Sequence, residues 1–138
     1  MNITIIDGQG GKIGCMLIER LKTFKIGEIT AVGTNSIATS NMLRAGADYV
    51  ATGESPAVVA GRNADIIAGP LGILLTGSLS GEVTDETASA IGRSKAQKVL
   101  IPMNRCSVHI VGICAELTLA ELIDAAVERI LALSSKKT

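Results

Sequence analysis

Short apolar runs alternate along the chain with segments of helical period. "NITIID" at the start is apolar on both faces, as a strand inside a parallel sheet requires. From Gly11 to about Phe24, Ile13, Leu17 and Leu21 recur every four residues while Glu19, Arg20 and Lys22 take the other side. That spacing predicts an amphipathic helix. "EITAVG" reads as a second strand, and "NSIATSNMLRAG" as a second helix with Asn35 as its N-cap and Gly46 as its stop. "DYVAT" predicts a third strand. In the following "GESPAVVAGRN", Ser55 is placed to cap a helix and Pro56 to fill its first position. "ADIIAG" and "KVLIPM" predict strands four and five; between them "TDETASAIGRS" predicts a helix whose first turn carries Asp85 and Glu86. "SVHIVGI" predicts a sixth strand, at the sheet edge. Thr118 and Glu121 have capping-box spacing before a last helix, "LAELIDAAVERILAL".

This alternation predicts an α/β fold: a three-layer, Rossmann-like, doubly wound and mostly parallel sheet of about five to six strands. No repeat, linker or low-complexity tract divides residues 1–138, which read as a single domain. Composition then removes several function classes. The chain is 47% hydrophobic but only 1% aromatic, so its core is aliphatic. Aromatic platforms for stacking single-stranded nucleic acid are nearly missing. Lys and Arg number 13, Asp and Glu 13, so no basic footprint for DNA or RNA is present. The uncharged stretch from Ile66 to Gly81 is broken by glycines and is shorter than the ~20 apolar residues of a membrane-spanning helix. Three cysteines, Cys15, Cys106 and Cys114, share no repeated spacing and fit reduced thiols better than a disulfide framework. Without a basic, apolar leader at the N-terminus, the expectation is a cytoplasmic protein with no membrane or nucleic-acid partner.

The candidate chemistry begins with "DGQGGKIG", which follows the first strand and opens the first helix. Read as G-x-x-G-x-x-G, its glycines are Gly8, Gly11 and Gly14, with Gly10 as an extra. In doubly wound folds such a loop serves a tight turn, a close approach to a pyrophosphate, and helix-to-strand packing. The N-terminal N–H groups and dipole of the helix then favour an anion, and Lys12 adds a positive charge. The pattern resembles the glycine loops of extended short-chain dehydrogenases and dihydrodipicolinate reductases. A plain strand-to-helix turn is the competing reading. On the phosphate reading, Gly11→Glu is expected to abolish binding and spare the fold.

Two positions depart from dinucleotide loops. Asp7 stands where the strand usually ends in an apolar residue; it can accept a ligand hydroxyl, hold a metal on the phosphates, or cap the Gly10 and Gly11 N–H groups. The acid expected ~20 residues after the glycines to bind ribose is replaced by Gly33-Thr34-Asn35-Ser36. The expected cofactor site therefore comprises Gly8, Gln9, Gly10, Gly11, Lys12 and Ile13 at the phosphates, Thr34 and Asn35 at the ribose, and Gly69, Pro70 and Asn104 toward the far half of the ligand. Thr52, Gly53, Glu54 and Arg105 are expected near the same crevice. Cys106, His109 and Cys114 superficially suggest a metal, but positions 106 and 109 of a strand face opposite ways. No Ser-His-Asp, Tyr-x-x-x-Lys or P-loop pattern supplies a catalytic partner.

Together, "IDGQGGKIG", "AVGTNSIATSNMLRAGA", "ATGE", "ADIIAGPLGI", "GEVT" and "LIPMNRC" resemble a small bacterial family catalogued as a domain of unknown function. The resemblance spans nearly the whole chain and implies a Rossmann-like domain, with no activity attached. Three functions stay open. The first is a stand-alone nucleotide-binding domain, with NAD or NADP as the leading ligand and a sensor or regulatory role. The second is a small homodimeric NAD(P)-dependent oxidoreductase. The third is a non-catalytic structural protein, and in each case the apolar composition suggests a homo-oligomer.

Overall fold

The first strand, β1 (Ile3–Asp7), is buried along its whole length. A run of β-branched residues buried on both faces belongs in the middle of a parallel sheet, and β1 lies there. The computed structural model describes residues 1–102, 107–112 and 117–136. Within them β1 is followed by α1 (Lys12–Lys22), β2 (Ile29–Gly33), α2 (Ser36–Arg44), β3 (Tyr49–Thr52) and α3 (Glu54–Asn63). Then come β4 (Ile66–Pro70), a 3-10 turn (Leu71–Leu74), α4 (Asp85–Arg93), β5 (Gln97–Ile101) and α5 (Leu119–Ser135).

The strands are ordered β3-β2-β1-β4-β5, and every neighbouring pair is parallel. The register aligns their carboxyl ends: Asp7 pairs with Gly33, Gly33 with Thr52, and Pro70 with Ile101. The chain winds outward one way from β1 and returns to β4 on its other side, so the order reverses between β1 and β4. Ligands of such folds lie outside the carboxyl ends at that reversal. Aliphatic side chains of α1, α2 and α5, including Leu17, Ile18, Met42 and Ile130, bury one face of the sheet. Ile6, Val32 and Ile67 meet α3, α4 and the 3-10 turn through Ala57, Ile91 and Ile73 on the other. This is the doubly wound α/β architecture that the alternating pattern predicts.

Local signals explain the element ends. Asn35 caps α2 by accepting the Ala38 N–H at 2.9 Å. α2 stops in a Schellman motif: Gly46 N–H meets Leu43 O, Ala47 N–H meets Met42 O, and Gly46 has φ of 117°. Thr118 and Glu121 form the expected capping box of α5. Two expectations fail. α3 starts earlier than the Ser55-Pro56 signal implies, with Gly53 as its N-cap. Proline tolerates any position of the first turn, where its missing N–H has no helical acceptor, so it marks the turn and not its first residue. The expected sixth strand is absent over residues 107–112, which are irregular, with Ser107 at φ 56° and Val111 almost fully exposed. An apolar alternation without a neighbouring strand to pair with does not make a strand.

Candidate functional site

The Gly8–Gly14 loop runs from the end of β1 into the first turn of α1, at the carboxyl edge of the sheet and beside the reversal point. Its shape comes from within. The Gly11 N–H donates to Gly8 O at 2.8 Å, closing a tight turn with Gln9 at φ 50° and Gly11 at φ 75°. Asp7, only 4% exposed, accepts the Gly8 N–H on one oxygen at 2.7 Å and the Gly14 N–H on the other at 2.8 Å. It therefore ties the two ends of the loop together, in place of the expected caps on Gly10 and Gly11. Burial pushes the Asp7 carboxyl up; the N–H groups of Gly14 and Gly8 oppose this without cancelling it, and the charge of Glu82 adds to the rise.

The four glycines differ in what they exclude. A Cβ on Gly8 would collide with the Thr34 hydroxyl and stand 2.7 Å from Glu82 Oε1 and 2.9 Å from Leu79 Cδ1. On Gly11 it would press to 3.2 Å on the Ala38 backbone, and on Gly14 to 2.6 Å on Met42 Sδ. Gly10 is exposed, its φ lies outside the left-handed region, and a Cβ there would meet nothing within 4 Å. Internal packing accounts for three of these glycines and leaves Gly10 without such a reason. Gly69 belongs with the packed set, since a Cβ would run into Ile6 O on the neighbouring strand. The Gly11→Glu test is corrected accordingly: a side chain there is strained and meets α2, so loss of fold and loss of binding would coincide.

Around the loop, the end of β2 contributes Thr34 and Asn35. The Asn35 side-chain amide donates to Gln9 O at 2.9 Å, and the Asn41 amide to Gly10 O at 2.8 Å, so α2 holds the loop from one side. Arg44 in turn donates to Asn41 Oδ1. Lys12 is exposed at the first position of α1, whose N-cap has no side chain and whose first turn holds no acid. Ile13 is 6% exposed and packs into the core, so it offers a ligand only its backbone. Gly69 and Pro70 are buried at the end of β4, on the other side of β1.

The outer positions turn elsewhere. The Thr52 hydroxyl pairs with that of Thr39 at 2.7 Å, and Glu54 accepts the Thr84 hydroxyl at 2.5 Å. His109 is exposed on the irregular segment 107–112, outside any strand. Asn104, Arg105, Cys106 and Cys114 lie outside the described residues. Cys15 is a partly buried free thiol, raised by burial and by the nearby charges of Glu19 and Asp7, with Arg44 opposing. Among the described residues no cluster of His, Cys, Asp and Glu has metal-binding geometry. Nor is any helix among them long and apolar enough to cross a membrane.

Sequence reasoning missed Glu82. Its Oε1 receives the Thr34 hydroxyl at 2.6 Å, the Asn35 amide at 2.7 Å and the Gln9 N–H at 2.9 Å. Burial raises this carboxyl, but the three donors outweigh it and hold the group below its ordinary value. Glu82 arrives from the segment between the 3-10 turn and α4. That segment folds on itself through Gly77 N–H to Val83 O at 2.7 Å and is pinned by buried Ser78 and Val83. Leu79, Ser80, Gly77 and Gly81 all take positive φ there.

A family model described as Domain of unknown function (DUF3842) matches residues 2–135. The chain belongs to this family. No curated protein matches it. Among solved structures, the DUF3842 chain is similar to a dodecameric FMN-dependent Ubix-like decarboxylase from Escherichia coli O157:H7, at 15% identity and a TM-score of 0.55. The likeness covers 96% of this chain and 93% of that one. At that identity it establishes the doubly wound fold of the DUF3842 chain alone. The fold expectation holds at that level, while nothing in the likeness speaks for NAD or NADP.

Proposed function

We propose that the chain is a nucleotide-binding domain whose Gly8–Gly14 loop receives the ligand's phosphate, acting as a sensor or regulatory subunit. The observation that carries this reading is Gly10, an exposed glycine beside the strand-order reversal whose missing side chain the protein itself does not use. Close approach of a phosphate to bare backbone supplies the reason that packing does not. Lys12 stands next to it, and the first turn of α1 carries no acid of its own, Asp7 taking only its Gly14 N–H from the strand side. Of the two carboxylates at the loop, Asp7 turns its oxygens to Gly8 and Gly14 and Glu82 takes the Gln9 N–H, which leaves the Gly10–Lys12 side of the loop for the phosphate.

NAD or NADP remains the leading ligand on the loop pattern. FMN is the second reading, favoured by the cofactor named for the structural neighbour. The chain's two aromatic residues, Phe24 just after α1 and Tyr49 at the start of β3, lie at the edge of the sheet opposite the glycine loop, which weighs against it. An oxidoreductase would have to draw its catalytic groups from beyond the loop's own acid, since Asp7 is engaged with the loop through both oxygens. We read the domain as a homo-oligomer, supported by exposed Ile37, Leu43, Tyr49 and Val59 on α2, β3 and α3 at one end of the sheet.

A thermal-shift titration against NAD, NADH, NADP, NADPH, FMN, FAD, ATP and ADP tests the reading. A bound nucleotide at about a hundred times its dissociation constant adds ~2.7 kcal/mol and raises Tm visibly. No rise with any of them would leave the loop a turn and refute the proposal.

A further inference from the structure

Folds of this type accept the ribose hydroxyls on an acid at the end of β2, and here β2 runs into Thr34, Asn35 and Ser36. A carboxylate nevertheless stands at that place. Glu82, contributed by the segment after β4, lies against both Thr34 and Asn35 and against the Gln9 N–H of the glycine loop. Resting on the nucleotide reading above, we propose that Glu82 accepts the ribose hydroxyls of the bound nucleotide and selects a free 2′-hydroxyl over a 2′-phosphate.

The geometry supports this in three ways. All three donors converge on Oε1, and a carboxylate has acceptor sites on both oxygens, so the group retains capacity toward a ligand. The donors hold Glu82 ionised at neutral pH, so a 2′-phosphate would set a second anion against it. The Gly77–Val83 closure and the buried Ser78 and Val83 hold the segment that presents the carboxylate. Hydrogen bonds of this kind discriminate strongly, because a ligand that cannot satisfy the carboxylate leaves it facing repulsion.

Adenosine 5′-monophosphate and adenosine 2′,5′-bisphosphate isolate the ribose. The wild type is expected to bind the monophosphate at least ~10-fold more tightly, a discrimination of ~1.4 kcal/mol. Glu82→Gln, which keeps the shape and an acceptor for Thr34, is expected to weaken the monophosphate and bring the ratio to about one. Glu82→Asp, which keeps the charge, should restore part of the preference. If Glu82→Gln tightens both probes by the same factor, Glu82 is a latch that ligand displaces, and the proposal is wrong. An unchanged ratio in that variant overturns this inference alone. A wild type that binds neither probe overturns this inference, and one whose Tm none of the eight nucleotides raises overturns the nucleotide reading as well.

Discussion

Four glycines crowded into seven residues look alike in the sequence, yet the structure gives them different duties. Gly11 sits at φ 75° with α2 against it, whereas Gly10 has open space. Gly11→Ala is therefore expected to destabilise the fold by about 1–2 kcal/mol, and Gly10→Ala to change stability by less than ~0.5 kcal/mol; chemical denaturation of both variants checks the contrast. The two carboxylates of the site work in opposite senses with pH. Glu82 is held below its ordinary value of 4.5, so its contribution is complete above that value and is lost as pH falls through the lower folded value. The Tm advantage of the wild type over Glu82→Gln should shrink on acidification below 4.5. Asp7 is raised above 3.8, so its contribution is most favourable below that value and declines as pH rises through the folded one. An advantage over Glu82→Gln that stays constant into acid would contradict the assignment of the three donors. The loop and its neighbours Thr34 and Asn35 were legible, because strand ends converge by topology. Glu82 was not: its bond to Gln9 spans 73 positions, and nothing in the spacing of "SLSGEVT" points back to the first strand.

At the level of elements, signals confined to a few neighbouring residues were readable and those needing a distant partner were not. Asn35, Gly46 and the Thr118–Glu121 pair act within one turn, so the residues that make the bonds are also adjacent in the sequence. Thr118→Ala is expected to cost about 1 kcal/mol of stability by freeing the Glu121 N–H, read as a lower denaturation midpoint. A loss indistinguishable from zero would mean that the packing of Ile123, Val127 and Ile130 alone sets the start of α5. The segment 107–112 shows the opposite case. Its alternation of apolar residues resembles a strand, but strand formation is decided by a pairing edge, and along the described part none is taken.

For the whole molecule, the period of the pattern and the β-α alternation were enough to predict a doubly wound sheet, since each apolar run must be covered by the helices that flank it. The strand order β3-β2-β1-β4-β5 then makes the carboxyl edge between β1 and β4 the place for a ligand. The exposed apolar residues of α2, β3 and α3 lead us to expect a species several times the 14.2 kDa chain in analytical ultracentrifugation, and a monomer would contradict that reading. The central claim is that Gly10 is kept bare for a phosphate. Its most direct test is the dissociation constant of wild type and Gly10→Glu for the nucleotide that raises Tm most. We predict an affinity loss of ~100-fold or more in Gly10→Glu, with the Tm of the free variant unchanged. Equal affinities in the two proteins would contradict the account and return the loop to a turn.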